Sequence, residues 1–296
     1  MKFGLIGASG YVAPRHMQAI KDTGNELVIA LDVHDSVGIL DRYFPNCKFF
    51  TNQERFDRHI IKNEELDYIV VCSPNYLHEA HCKLGMRIGA DIICEKPLSL
   101  TVENLRQLQT VEDQLKKKVY SILQLRLHPS IKLLKHMINK KKYYNVDLKY
   151  ITPRGPWYFQ SWKGNKGKSG GIETNIGIHF FDMLIWLFGD VESFHVEDSN
   201  EQQSCGILHL EHANVLYYLS LDINDLPDSK QKFYRSMKVN GEEVRFDNVF
   251  SELHTESYRE ILNGRGYGIE DSIKAIRLVQ QIREEKELPL IHGNKH

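Results

Sequence analysis

Over the first 120 residues, short and nearly continuous apolar runs alternate with longer stretches in which apolar positions recur at helical spacing. Phe3 to Ile6, Glu26 to Leu31, Tyr68 to Cys72, Asp91 to Cys94 and Val119 to Leu123 read as strands, apolar throughout because both faces are covered. Between them Pro14 to Lys21, Gln53 to Ile61, Tyr76 to Ile88 and Val102 to Lys117 carry the helical period, some with Pro near the start or Gly at the close. Such alternation predicts an α/β domain over residues 1–122, a doubly wound parallel sheet with helices on both faces.

After Leu123 the rhythm changes. A helical run from Pro129 to Lys141 leads into a strand, Tyr144 to Thr152, and then into a loop of uncommon composition, PRGPWYFQSWKGNKGKSGG. A helix is expected over Ile176 to Phe188, consecutive β runs from Val191 to Phe246, a hairpin turned at Asn240-Gly241, and a last helix from Ile269 to Lys286. Residues 123–296 are therefore expected to form an α+β domain built on a large open sheet, mixed or antiparallel.

Composition narrows the setting. Lys plus Arg number 38 against 39 Asp plus Glu, a formal charge of -1, so no global field recruits nucleic acid or an anionic membrane. The five cysteines (Cys47, Cys72, Cys82, Cys94, Cys205) form no Cys-x-x-Cys pair, which fits free thiols in a reducing compartment. No secretory h-region and no apolar run of bilayer length is found, so a cytoplasmic location is expected. The lysines at 140 to 142 read as a solvated helix end.

The chemistry begins at Gly7-Ala-Ser-Gly-Tyr-Val-Ala13, between the first strand and the first helix. Glycines in such a turn let the backbone approach a pyrophosphate, whose charge meets the amides and dipole of the helix N-terminus. The spacing is one residue longer than Gly-x-Gly-x-x-Gly, and a ligand-free tight turn would also use it. Asp32, ending the second strand about 20 residues on, supplies a carboxylate for a ribose 2'-hydroxyl and repels a 2'-phosphate, which favours NAD over NADP. A helix cap near Ser36 is its bland alternative. CSPNYLHEAH (72–81) and CEKPLSL (94–100) follow later strands at their C-terminal ends, where open α/β sheets bind ligands. A lysine there, beside a cationic nicotinamide, would have its pKa lowered into a range useful for proton transfer.

ICEKP after such a domain, followed by SGGIETNIGIHFFDML (169–184), resembles the glucose-fructose oxidoreductase, inositol dehydrogenase and MocA family over essentially the whole chain. GYVAPRHMQAIKDTGNELVIALD, ERFDRHI, CSPNYLH, LQLRLHP and SWKGNKGKSGGIETNIGIHFFDML are similar to one subgroup of it, the UDP-N-acetyl-2-amino-2-deoxyglucuronate dehydrogenases of the WlbA or WbpB type. The resemblance implies NAD as cofactor and oxidation of the C3 hydroxyl of a UDP-sugar acid in surface-polysaccharide aminosugar synthesis. It also implies a homo-oligomer, commonly a tetramer, joined through the C-terminal sheets. By position Lys96 matches the active-site lysine and His179 the active-site histidine; either is the candidate base. Many relatives carry Asp four residues before that histidine. Here it is Asn175, which cannot shuttle a proton and is better cast as an orienting group. Glycines at 170, 171 and 177 suggest close approach of a ligand beside His179.

The cofactor-binding set expected on these grounds is Gly7, Ser9, Gly10, Tyr11, Val12, Asp32, Ser73, Pro74, Asn75, His78, Glu95, Lys96, Gln124 and Trp162; outside this set, Arg15 and His16 are candidates for phosphate contact, with capping or packing as the alternative for one of them. For the substrate, Arg154, Lys163, Lys166 and Lys168 stand among Trp157, Tyr158 and Trp162, cations for a diphosphate or carboxylate and flat rings for a sugar. Arg126 and His128 of LQLRLHP stand second to these, and the expected substrate set is Arg154, Tyr158, Lys163, Asn175, His179 and Arg126. No metal is expected, because His78 and His81 lack a third ligand at metal spacing. Some enzymes of this kind reoxidise bound cofactor with 2-oxoglutarate, a possible co-substrate here. The rival readings are a dehydrogenase of a free sugar, polyol or inositol, which has less use for a basic aromatic loop, and a non-catalytic NAD-sensing regulator, which has no use for Lys96 and His179.

Overall fold

The computed structural model describes residues 1–63, 65–246 and 252–287. In the first part β1 (Lys2–Ile6), α1 (Ala13–Asp22), β2 (Glu26–Leu31), α2 (Ile39–Tyr43), β3 (Lys48–Phe50), α3 (Gln53–Asn63), β4 (Tyr68–Val71), α4 (His78–Arg87), β5 (Asp91–Cys94), α5 (Val102–Leu115) and β6 (Val119–Ser121) alternate. Their six strands lie parallel in the order β3-β2-β1-β4-β5-β6. Phe3, Leu5, Ile29, Ile69, Val70, Ile92 and Ile93 are wholly buried, as apolar strands covered on both faces must be. The strand order reverses between β1 and β4, which opens a crevice at their carboxyl ends.

The second part comprises α6 (Pro129–Met137), β7 (Tyr144–Ile151), α7 (Pro156–Gln160), α8 (Lys166–Ser169), α9 (Ile178–Phe188), β8 (Val191–Ser199), β9 (Gln203–Leu210), β10 (Ala213–Ser220), β11 (Tyr234–Val239), β12 (Glu242–Glu243), α10 (Leu253–Leu262) and α11 (Ile269–Glu287). Its sheet runs β12-β11-β7-β10-β9-β8, antiparallel at every pairing except β7 with β10, so the expected mixed sheet is present. Asn240 and Gly241 both have positive φ, 52° and 85°, which the two-residue hairpin expected there requires. β9 alternates buried and half-buried positions because one face packs inward. α9 is apolar on nearly all sides and is buried accordingly, with Phe181 against Tyr217 and Phe180 against Tyr150 of the sheet.

Five elements have no counterpart in the sequence reading: β3, α2, α7, α8 and α10. Four of them span three to five residues, too few to show a period. The fifth, α10, packs against α1, and its Tyr258 and Ile261 join Phe3, Leu5 and Met17 in one core. Tyr258 stacks on Phe3 with ring centroids 6.0 Å apart. The division expected at 122/123 follows the chain out of β6, and α10 crosses back over it. Among the described residues no helix is long and apolar enough to cross a membrane.

Candidate active site

The turn between β1 and α1 is tight for a reason visible in its glycines. Gly7 has φ +92°, and a Cβ there would stand 2.6 Å from the Cys72 carbonyl carbon, so β1 and β4 can leave the sheet side by side only if residue 7 has no side chain. The Gly10 amide donates to the Gly7 carbonyl at 3.1 Å and Ala13 N to Gly10 O at 3.0 Å, which aims the start of α1 into the crevice. Among the described residues no side chain caps α1, whose positive end therefore faces the crevice, although Ala13 N and Arg15 N donate within the turn and Pro14 has no N–H. Asp32 ends β2 with both oxygens fixed: Oδ2 accepts from Ser9 N at 2.8 Å and Oδ1 from His34 N at 2.9 Å. Each oxygen keeps a lone pair for a ribose hydroxyl, and neither caps the segment at Ser36. A glycine cradle that a Cβ would fill, an uncapped helix start and a carboxylate at the neighbouring strand end fit a dinucleotide such as NAD.

A cleft of about 490 Å³, open to solvent, runs from this turn to the second sheet. Every expected cofactor residue other than His16 lines it: Gly7, Ser9, Gly10, Tyr11, Val12, Arg15, Asp32, Ser73, Pro74, Asn75, His78, Glu95, Lys96, Gln124 and Trp162. So do Arg154, Trp157, Tyr158, Lys163, Asn175 and His179. Residues separated by more than 170 positions are thus brought to one surface.

At its centre Lys96 Nζ donates to the backbone carbonyl of Asn175 at 2.8 Å. That carbonyl belongs to a π turn, Glu173–Gly177, immediately before α9; the wider winding of such turns is often found at functional sites. The side chain of Asn175 is held at both ends: Nδ2 donates to Tyr158 Oη at 2.7 Å and Oδ1 accepts from Asn75 Nδ2 at 3.3 Å, while Asn75 also donates to Ser169 O. Burial pushes the Lys96 ammonium down to about 8; Glu95 opposes this and the cations Arg154 and Lys163 assist it. Burial, then the charge of Lys96, holds His179 well below the ordinary histidine range, so it is neutral at pH 7. Lys163 is lowered by burial and by Arg154, a crowding of cations suited to an anion. Its Nζ lies 5.1 Å and 5.4 Å from the ring centres of Trp157 and Trp162, and Arg154 lies 5.8 Å from that of Tyr158.

Several expected roles fall elsewhere. Arg126 does not face the cleft: its Nε and Nη2 fork onto Asp182 at 2.9 Å and 2.7 Å, its Nη1 reaches Asp271 at 3.0 Å, and it is buried over Tyr267. Two carboxylates far along the chain and the Asp271 carbonyl take four of the five guanidinium N–H groups, and Arg126 is not part of the cleft wall. His128 is wholly buried against Phe246. Lys168 sits over Tyr76, and Lys166 is likewise not part of the cleft wall. The glycines near His179 serve packing: a Cβ at Gly177 would meet Leu219 and Phe181 at 2.7 and 2.8 Å, and one at Gly170 would meet Thr174. His78 joins the two strand-end loops, with Nδ1 2.7 Å from Pro97 O and Nε2 2.7 Å from Ser73 O.

His16 points away from the phosphate turn into the interior. Its Nε2 and that of His254 both donate to Glu95 Oε1, each at 2.9 Å, and Tyr258 Oη donates to His16 Nδ1 at 2.9 Å. His254 and Tyr150 line the site without having been expected there. A lone histidine in LHTESYREIL carries no spacing signal that would have found it.

Two family models match the chain: one described as an oxidoreductase family with an NAD-binding Rossmann fold over residues 1–122, the other as the same family's C-terminal alpha/beta domain over residues 131–222. Among solved structures, the WlbA (WbpB) dehydrogenase from Thermus thermophilus in complex with NAD and alpha-ketoglutarate is 42% identical, with a TM-score of 0.93 over 98% of this chain and 96% of that one. The same enzyme in complex with NAD and UDP-GlcNAcA is 41% identical, with a TM-score of 0.92 over the same shares. The inositol 2-dehydrogenase of Rhizobium meliloti is 26% identical over 196 residues, 64% of this chain and 56% of its own length, so the match spans little more than half of that relative. With both of its domains matched, the chain belongs to the Gfo/Idh/MocA oxidoreductase family, whose N-terminal domain is an NAD-binding Rossmann fold.

Proposed function

We propose that the chain is an NAD-dependent dehydrogenase that oxidises the C3 hydroxyl of UDP-N-acetylglucosaminuronic acid. The observation that carries the reading is the joint wall of one cleft, which Lys96 and His179 share with the dinucleotide turn and with Arg154 and Lys163. The Thermus thermophilus enzyme solved with UDP-GlcNAcA, similar along nearly its whole length, supports the substrate. A neutral polyol would leave the two partly desolvated cations without an anion.

When bound, NAD supplies the hydride acceptor. Lys96 is the proton acceptor in this reading, because a lysine lowered to about 8 has a usable neutral fraction in mildly basic solution while His179, held well below its usual range, is a weak base. His179 accepts or donates a hydrogen bond at the sugar and fixes the hydroxyl. The Asn175 carbonyl holds Lys96 Nζ on one line of approach, and the Asn75–Asn175–Tyr158 chain fixes that carbonyl. Arg154 and Lys163 hold the uronate carboxylate or diphosphate, and the Trp157 and Trp162 faces cover the sugar.

The same cations suit a dicarboxylate, so reoxidation by 2-oxoglutarate in the same cleft belongs to this reading, as does a homotetramer joined through the second sheet in the cytoplasm. Incubation with NAD and UDP-N-acetylglucosaminuronate tests the activity. Reduced cofactor and a product two mass units lighter than the substrate are expected, and oxidation of myo-inositol or free glucose in preference to the nucleotide would refute it.

A further inference from the structure

We propose that His254 is a positioning residue for Lys96, acting through Glu95, with His16 holding that carboxylate from the other side. The inference rests on the reading of Lys96 as the proton acceptor.

Glu95 is 6% exposed, and a carboxylate so placed is stable only if its lone pairs are occupied. Oε1 accepts from His16 Nε2 of α1 and His254 Nε2 of α10, and Oε2 from the Lys96 backbone amide at 3.2 Å. Burial alone would raise the carboxyl; the two imidazole hydrogen bonds overcome it and hold Glu95 well below the ordinary range, so it is ionised. A carboxylate only accepts, so both histidines carry their proton on Nε2. His16 Nδ1 is then an acceptor, and the Tyr258 hydroxyl fills it. Tautomer and ring orientation are fixed throughout. His254 Nδ1 is the exception: it is buried with no hydrogen-bond partner among the described residues, although its ring forms part of the cleft wall.

Glu95 is faced by Lys96, His16, His78, His179, His254, Tyr258 and the thiols of Cys72 and Cys94; Lys96 by Glu95, Arg154, Lys163, His78, His179 and the Asn175 carbonyl. Glu95 is the sole anion in the second set. Its charge therefore works against burial and the neighbouring cations to keep Lys96 from falling further, and its position fixes the backbone from which Lys96 extends. The clamp closes only when α10, whose His254 lies 159 residues along the chain from Glu95, docks on α1. A histidine and a tyrosine of that helix, Tyr258 through His16, thus bear on the active lysine without touching the reacting atoms.

Two measurements test this. The first needs no substrate: the pH dependence of Lys96 acylation by acetic anhydride, read by mass spectrometry, with a midpoint near 8 expected in the wild type. Glu95→Gln removes the opposing charge and should lower that midpoint by roughly one unit. His254→Ala admits water beside Glu95, which screens its charge, and should lower the midpoint by about half a unit, while His254→Gln, whose amide can donate to Oε1, should restore it. The second is turnover of the sugar nucleotide. His254→Ala should lower kcat about 10-fold with NAD affinity within about twofold of wild type, and it should cost nothing further in a Lys96→Met background. Equal losses in both backgrounds, an unmoved acylation midpoint in folded His254→Ala, or stoichiometric metal held by His16, Glu95 and His254 would each overturn the proposal. Absence of sugar-nucleotide turnover in the wild type would refute the substrate reading and leave the acylation result to judge the clamp.

Discussion

Lys96 Nζ and the main-chain oxygen of Asn175 lie 2.8 Å apart, joining the end of β5 to the π turn that opens α9. The ammonium is thereby presented to the cleft from both parts of the molecule. Its lowered pKa sets the sign of the pH dependence: the base must be neutral, so kcat/KM should rise with pH through about 8 and then level off. Lys96→Met should abolish that limb and cost roughly 100-fold or more in turnover, with NAD affinity retained. Lys96→Arg, permanently charged, should be no better. An unshifted limb in folded Lys96→Met would move the role to His179, which His179→Asn would then reveal.

Asp32 meets the Ser9 and His34 amides with one oxygen each. Asp32→Ser should weaken NAD and relax discrimination against NADP by about 1–3 kcal/mol, the range for a hydrogen bond to a charged group, as measured by cofactor titration. An unchanged NAD to NADP ratio would reduce Asp32 to an organiser of the loop.

Arg126 and Asp182 are nearly without solvent contact, at 6% and 3% side-chain exposure, and are joined by two parallel hydrogen bonds. Burial pushes the Asp182 carboxyl up to about 6 against the pull of Arg126. Arg126→Met strands that carboxylate and should lower stability by about 3–5 kcal/mol in denaturant unfolding. The KM of the folded fraction should not move, since the pair stands outside the cleft; a raised KM with unchanged stability would return Arg126 to the substrate.

Five of the six strands of the first sheet were legible because covering both faces leaves an uninterrupted apolar run, as in Tyr68–Val71 and Asp91–Cys94, while the three-residue edge strand Lys48–Phe50 was too short to read. Asp32 was legible because its strand-end place is a local property. Arg126 was misread because its charge is visible in the sequence while Asp182, 56 residues on, is not identifiable as its partner. The reasons for Gly170 and Gly177 were misread likewise: a glycine marks close approach without saying what approaches, and here it is Thr174, Leu219 and Phe181. His254 was invisible because its role exists only after α10 folds back onto α1.

Arg154 and Lys163 are the cations proposed for the substrate carboxylate. Lys163→Gln should raise KM for the sugar nucleotide and for 2-oxoglutarate together, by about tenfold, if one site serves both acids. Purified protein should carry bound nucleotide and form 2-hydroxyglutarate from the two substrates without added NAD. Purification free of nucleotide, with turnover indifferent to 2-oxoglutarate, would remove the recycling step and leave the dehydrogenase reading intact.

The most direct measurement follows the hydride itself. UDP-N-acetylglucosaminuronate carrying deuterium at C3 is incubated with the protein and NAD, and sugar and cofactor are weighed by mass spectrometry. The account predicts one deuterium in the reduced nicotinamide and a 3-keto sugar nucleotide that has lost it, with both signals falling together in Lys96→Met. Reduced cofactor without deuterium, or a sugar that keeps its label at C3, would contradict it.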